Sequence, residues 1–174
     1  MTNLEYMNAL YTIRKTFSNG GIIMVMQGRN KERADYKDII TIATLFAKMG
    51  KDVKVLSPVH FKDKEYNHFF GGLIGTKYER KCPDLEINGN YYEYESYVRP
   101  WNKRKISSMI SHGLQQASRI IIDNNKGASD RFIRKCIMAR LNLKNQHIDE
   151  VWIYEKGQLR LFFKEALFIK TTGR

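Results

Sequence analysis

Residues 82–97 read CPDLEINGNYYEYESY, and this stretch predicts a β-hairpin around which the rest of the chain is organised. The central Asn-Gly pair is a strong turn signal, because a two-residue hairpin turn needs a positive φ at both positions. Side chains alternate along the strand after the turn, so Glu93 and Glu95 point to the same face. Asp84 lies on the strand before the turn, and pairing across the turn brings three carboxylates into one small area. Such acids repel one another unless a cation or a proton sits among them.

The composition indicates a globular, strongly basic protein. The 174 residues suffice for one domain with its own core, and 43% of them are hydrophobic. The net charge is +12, so the field of the protein favours polyanions, with nucleic acid as the first candidate partner. No apolar run has transmembrane length, and the start of the chain does not resemble a signal peptide. The two cysteines are expected to stay reduced. We therefore expect a cytoplasmic protein without a membrane partner.

Hydrophobic periodicity predicts one α/β domain over residues 1–174, with a mixed central β-sheet flanked by helices. Residues 4–17 carry apolar side chains at helical spacing, so residues 1–20 are interpreted as a helical N-terminal extension. This helix could cover the core, or pair two chains into a homodimer. The other predicted helices cover residues 38–49, 106–118 and 129–140, and the predicted strands cover residues 22–26, 52–56, 119–123, 150–155 and 158–164.

The spacing from Pro83-Asp84 to Glu93 and Glu95 resembles the signature of the PD-(D/E)XK nuclease superfamily. The order of the surrounding elements, roughly over residues 37–165, is similar to the C-terminal tRNA-nuclease toxin domain of contact-dependent growth-inhibition proteins. The resemblance implies a restriction-endonuclease-like core. It also implies a nuclease that hydrolyses phosphodiester bonds in RNA (tRNA-like) or DNA with Mg²⁺ or Mn²⁺.

The resemblance makes Asp84 and Glu93 the metal-binding acids. Glu95 occupies the place where the family usually has a lysine, which positions water or stabilises developing negative charge. A glutamate cannot stabilise an anion. We expect Glu95 to act instead as a further metal ligand or as a general base.

Two further residues match positions of the family on helices. Gln116 matches a glutamine on the helix after the hairpin, where it would contact a water or a phosphate. Asp38 is the nearest match for an acid on the first core helix, with Glu32 or Asp35 as alternatives.

Basic residues directly follow the acidic strand, and a weaker basic patch lies on a later helix. A solvated loop and a phosphate-binding surface both explain the first cluster. The expected nucleic-acid-binding residues are Arg99, Lys103, Arg104, Lys105 and Arg131.

Other interpretations stay open at the level of sequence. The acids could be solvated residues of an exposed hairpin, and the tyrosines of the hairpin are more typical of cross-strand packing than of base stacking. The histidines lack the spacing of a zinc site, and His112 is the one we would test as a proton carrier. The departure at Glu95 favours a rival function, a non-catalytic nucleic-acid-binding protein that retains the nuclease fold. An accessory factor of a mobile element, or another protein-interaction module, is a third class.

Overall fold

A computed structural model describes residues 10–28, 34–97, 102, 104–144 and 146–165. The fold is α/β, with eight strands in a mixed sheet and helices flanking it, so the expected fold class is confirmed. The chain divides into two compact units, Met1–Tyr91 and Tyr92–Arg174. The expectation of a single domain stays a prediction. Within the described ranges, no helix combines the length and the apolar character needed to cross a membrane.

The start of the first unit corrects the sequence prediction. Residues 4–17 were expected to be helical, but Tyr11–Thr16 form strand β1, which pairs antiparallel with β2 (Ile22–Met26). The helical spacing of the apolar residues was misleading, because pairing with β2 satisfies the backbone of a strand that is exposed at five of its six residues. The expected dimer helix is therefore a strand over this range, and residues 1–9 lie outside the described part of the chain.

A β–α–β connection forms the centre of the first unit. Helix α1 (Tyr36–Lys48) joins β2 to β3 (Asp52–Val55), which runs parallel to β2. The helix is followed by Gly50 at φ +76°, a conformation that glycine adopts without strain, so the predicted stop is confirmed. Its buried face, which packs on the parallel strands, comprises Tyr36, Ile39, Ile42, Ala43, Phe46 and Ala47.

Strand β4 (Leu85–Ile87) pairs antiparallel with β3. Asn88 and Gly89 follow with φ values of +47° and +79°, so the predicted turn is confirmed. Strand β5 (Asn90–Glu95) begins directly after the turn. The short helix α2 (Tyr66–Phe70) lies earlier in the unit and contributes aromatic residues to an apolar cluster.

The second unit contains two parallel crossover connections. Strand β5 pairs parallel with β6 (Arg119–Asp123), β6 pairs parallel with β7 (Glu150–Glu155), and β7 pairs antiparallel with β8 (Gln158–Lys164). Helices α3 (Arg104–Gly113) and α4 (Asp130–Leu141) make the two crossovers. The core of the unit includes Ile106, Met109, Ile110, Ile120, Ile122, Ile133, Ile137, Val151 and Ile153.

Glu150, at the start of β7, is the centre of a hydrogen-bond network. Its carboxylate accepts hydrogen bonds from the Tyr92 hydroxyl at 2.8 Å and the Trp152 indole at 2.9 Å, and it forms an ion pair with Lys164 at 2.9 Å. Burial raises the pKa of the Glu150 carboxyl, but the bonds from Trp152, Lys164 and Tyr92 outweigh burial and hold the pKa below its ordinary value. The network therefore ties β5, β7 and β8 together through one ionised side chain.

Replacing Glu150 by glutamine is expected to lower the free energy of unfolding by about 1–3 kcal/mol at pH 7, because charged hydrogen bonds are lost. A carboxyl whose pKa is depressed by folding stabilises the protein above the unfolded pKa, near 4.5 here, and this contribution is lost as the pH falls through the folded pKa. The difference in the free energy of unfolding between the wild type and the Glu150→Gln variant should therefore become smaller in acid. Urea unfolding at pH 7 and at about pH 3 measures it. Exposed Glu79, changed to glutamine, is the control, and a pH-independent difference would contradict the prediction.

Candidate functional site

Strand β5 places Glu93 and Glu95 on the face that helix α3 covers. Their Cα partners on β6 are Ile120 and Ile122, which are fully buried in the core that contains the apolar side of α3. Partnered residues of neighbouring strands point to the same face of the sheet. Two half-buried glutamates of β5 therefore lie beside two buried isoleucines of β6, on the same face of the sheet.

Glu95 lies against the end of helix α3. A Cβ atom at Gly113 would be 3.2 Å from the Glu95 Cγ and 2.8 Å from the Ile120 Cγ2, so the helix backbone approaches the strands too closely for any side chain there. The Glu93 Oε2 is also buried. Removing carboxylates from water costs free energy unless hydrogen bonds or a cation offset the loss. Glu93 and Glu95 therefore stabilise the fold less at these positions than apolar side chains would, unless a partner offsets their desolvation.

Gln116 is not on a helix, which corrects its predicted position. The helix expected over residues 106–118 ends at Gly113, and Gln116 lies in the following turn, where its N–H donates to the Gly113 carbonyl at 2.9 Å. Its side chain is half-buried. His112, the candidate proton carrier, is exposed in the last turn of α3.

Asp84 is a buried acid of the first unit, with 6% of its surface exposed. It directly precedes β4, and its carbonyl accepts the Leu56 N–H at 2.8 Å. That Asp84 binds a metal together with Glu93 and Glu95 stays a prediction from the sequence.

The predicted helix acid lies on the first turn of α1. Asp38 is exposed there, and Asp35 is the residue before the helix. The other alternative, Glu32, lies outside the described residues.

The second face of β5 presents Tyr92 and Tyr94, which are both buried. Tyr92 donates to Glu150 at 2.8 Å, and Tyr94 donates to Asp123 at 3.2 Å. Burial and the Glu150 carboxylate raise the pKa of Tyr92 far above its ordinary value. Both tyrosines are therefore packing residues, as the default interpretation expected, and not base-stacking residues.

Helix α3 begins with two basic residues. Arg104 is exposed, and the half-buried Lys105 holds its ammonium 4.6 Å from the centre of the Tyr97 ring. The first turn contains no acid, and the N-terminus of a helix carries partial positive charge. This end of α3 is therefore electropositive. Arg99 and Lys103, which the sequence added to the same cluster, lie outside the described residues.

The second basic patch lies on helix α4. Arg131 is exposed there, together with Arg134 and Lys135 one turn further on. The Arg134 guanidinium lies 5.3 Å from the centre of the Phe162 ring. The predicted position of Arg131 on a later helix is confirmed, and its contact with nucleic acid stays a prediction.

One cluster of potential metal ligands escaped the sequence analysis, since Glu165 is distant in sequence from His147 and Asp149. One ligand atom each of His147, Asp149 and Glu165 lies within 4.8 Å of the others. Asp149 already accepts hydrogen bonds from Ser118 at 2.6 Å and forms an ion pair with Arg119 at 2.9 Å. Burial raises the pKa of Asp149, but Ser118, Arg119 and His147 outweigh burial and leave the pKa below its ordinary value. Ion pairs explain this cluster, so we assign no metal to it.

Comparisons of this chain with protein-family models, with curated proteins and with solved structures found no match. The resemblance to PD-(D/E)XK nucleases therefore continues to depend on the residues of the hairpin and on the order of elements around it.

Proposed function

We propose that this chain is a metal-dependent nuclease that hydrolyses phosphodiester bonds in RNA (tRNA-like) or DNA. The observation that carries the proposal is the pair Glu93 and Glu95 on the helix-covered face of β5. Carboxylate oxygens are the ligands that Mg²⁺ and Mn²⁺ prefer, and a bound cation offsets the cost of removing such groups from water. The family resemblance adds Asp84 as a further predicted ligand.

The chemistry assigns a separate task to each side chain. A bound Mg²⁺ would polarise a phosphoryl oxygen and lower the pKa of a bound water. Glu93 would hold the ion through its carboxylate. Glu95, in the place of the usual lysine, would complete the ligand set or accept the proton of the attacking water. Gln116 would orient a water or a phosphate oxygen through its carboxamide.

The basic residues support nucleic acid as the partner. Arg104 and Lys105 add their charges to the positive end of α3, and Arg131 lies on a second exposed patch. With a net charge of +12, the chain would attract polyanions over a long range and bind them less tightly as salt rises. A cytoplasmic location, where the free Cys82 and Cys136 would stay reduced, belongs to the same proposal.

Incubation of the protein with tRNA, single-stranded DNA and duplex DNA tests the proposal. We expect cleavage of at least one substrate with Mg²⁺ or Mn²⁺ and none with chelator. The Asp84→Ala variant should lose the cleavage, because a carboxylate of the predicted ligand set is removed. Gel analysis of end-labelled substrates measures the products.

A wild-type protein that cleaves none of these substrates would contradict the proposal. Binding to the same substrates that weakens with salt, persists in chelator and survives Asp84→Ala would then identify the rival function, a non-catalytic nucleic-acid-binding protein.

A further inference from the structure

A cavity of about 490 Å³ lies in the first unit, at the carboxyl end of β2 and beside the start of α1. Its lining residues among those described are Thr12, Arg14, Val25, Met26, Gln27, Gly28 and Tyr36. In α/β folds, ligands bind in crevices outside the carboxyl ends of parallel strands, and β2 is one strand of a parallel pair.

The polar groups of this cavity are those that receive an oxyanion. Arg14 donates to the Tyr36 hydroxyl at 3.4 Å, which leaves the hydroxyl proton to be donated to a ligand. Tyr36 is 8% exposed, so its ring is fixed by packing. Thr12 and Gln27 add a hydroxyl and a carboxamide. Arginine is the one charged residue in the described lining, and its planar fork suits the paired oxygens of a phosphate.

Gly28 makes the backbone accessible from this cavity. Its φ is +74°, and among the described residues no atom beyond its chain neighbours lies within 4 Å of the position that a Cβ would occupy. A ligand can therefore approach the backbone at Gly28.

A second cavity of about 360 Å³ shares Met26 and Gln27 with the first one. Its remaining described lining combines apolar side chains, two acids and one histidine: Leu10, Pro58, Val59, Phe69, Asp63, Glu65 and His60. Apolar surface suits a ring system, and carboxylates accept hydrogen bonds from hydroxyl or amino groups. The adjoining space thus matches the body of a nucleoside.

We infer that the two cavities together bind a phosphomonoester of a nucleoside, with the phosphate at Arg14 and the nucleoside toward Asp63. The inference is independent of the proposed nuclease function, since it uses none of the residues of that site. A free mononucleotide and the phosphorylated 5′ end of a nucleic acid share this chemistry.

The test is a set of binding measurements with inorganic phosphate, adenosine and uridine 5′-monophosphates, and a short oligonucleotide with and without a 5′-phosphate. We expect the monophosphates to bind more tightly than inorganic phosphate and to shift the backbone amide NMR signals of Gln27 and Gly28. Arg14→Ala should weaken the binding of each phosphorylated probe at least about tenfold. Asp63→Asn should weaken the binding of the mononucleotides and leave inorganic phosphate unaffected.

The matched control is Lys15→Ala, which removes the same charge from the next residue of β1. Lys15 is not among the described residues that line the cavity, and its ammonium lies 4.9 Å from the centre of the Phe17 ring. Tighter binding of the 5′-phosphorylated oligonucleotide than of the mononucleotides would identify a nucleic-acid end as the ligand. Equal losses in Arg14→Ala and Lys15→Ala, or affinities that neither variant changes, would overturn the inference. The amide spectrum of each variant without ligand shows whether it has folded.

Discussion

Replacing Glu93 by glutamine is expected to lower the rate of metal-dependent cleavage at least about 100-fold. The carboxamide preserves the shape of the side chain, but it removes the negative charge that would hold the ion. Because the Glu93 Oε2 is buried, a change of shape at this position would also disturb packing, and the isosteric variant avoids that disturbance. Single-turnover cleavage of labelled substrate over a range of Mg²⁺ concentrations measures the loss.

The control for this experiment is Glu150→Gln, which makes the same chemical change in the same unit. Glu150 binds Tyr92, Trp152 and Lys164, so its variant loses stability while the proposed site keeps its acids. We expect the Glu150 variant to cleave at the wild-type rate below its unfolding temperature. Equal losses of activity in both variants would mean that folding, and not metal binding, explains the effect at Glu93. Titration with Mn²⁺, followed by electron paramagnetic resonance, measures metal affinity separately from turnover.

Replacing Gly21 by alanine is expected to destabilise the protein by roughly 3 kcal/mol. Gly21 precedes β2, where the chain passes directly against the last turn of α1. A Cβ there would overlap the carbonyl oxygen of Ala47 and lie 2.8 Å from its carbonyl carbon. These atoms belong to the backbone of a packed helix and cannot rotate away. Thermal and urea unfolding of the variant measure the loss.

Gly71→Ala is the matched control for this substitution. Gly71 has a φ of −56°, and in the described part of the chain no atom beyond its own helix and chain neighbours lies within 4 Å of the position that a methyl group would occupy there. The same added methyl group should be neutral or slightly stabilising at this residue. A loss of similar size at both glycines would show that the close approach at Ala47 is not the cause.

Local signals in the sequence predicted much of the fold. The Asn88-Gly89 pair adopts a positive φ at the predicted turn. Gly50 does so directly after the helix predicted over residues 38–49, and Lys156 and Gly157 do so between the strands predicted over residues 150–155 and 158–164. Strand β6 was recognisable as a run of isoleucines, since a strand buried on both faces needs no alternation. In these cases the residue type determines the backbone conformation by itself.

The errors arose where a distant partner decides the structure. Tyr11–Thr16 became a strand through pairing with β2, and an exposed edge strand has little apolar pattern of its own. Helix α3 ended at Gly113, a position whose close contact with Ile120 no spacing rule reveals. The sequence predicted that Glu93 and Glu95 share one face of the strand, but it did not predict that helix α3 covers this face.

The cavity at Arg14 was beyond sequence analysis for the same reason. Arg14 and Tyr36 are 22 residues apart, on a strand and a helix, and neither belongs to a recognised motif. The guanidinium reaches the phenol only when β1 pairs with β2 and α1 packs beside them.

The close approach of Gly113 to Glu95 places the end of helix α3 directly against strand β5. The helix has ten residues, so its ends are about 15 Å apart, with Arg104 and Lys105 at one end and the acid at the other. The other end cannot move toward the strands without displacing the Glu95 side chain. Any side chain introduced at Gly113 would therefore displace Glu95 or Ile120.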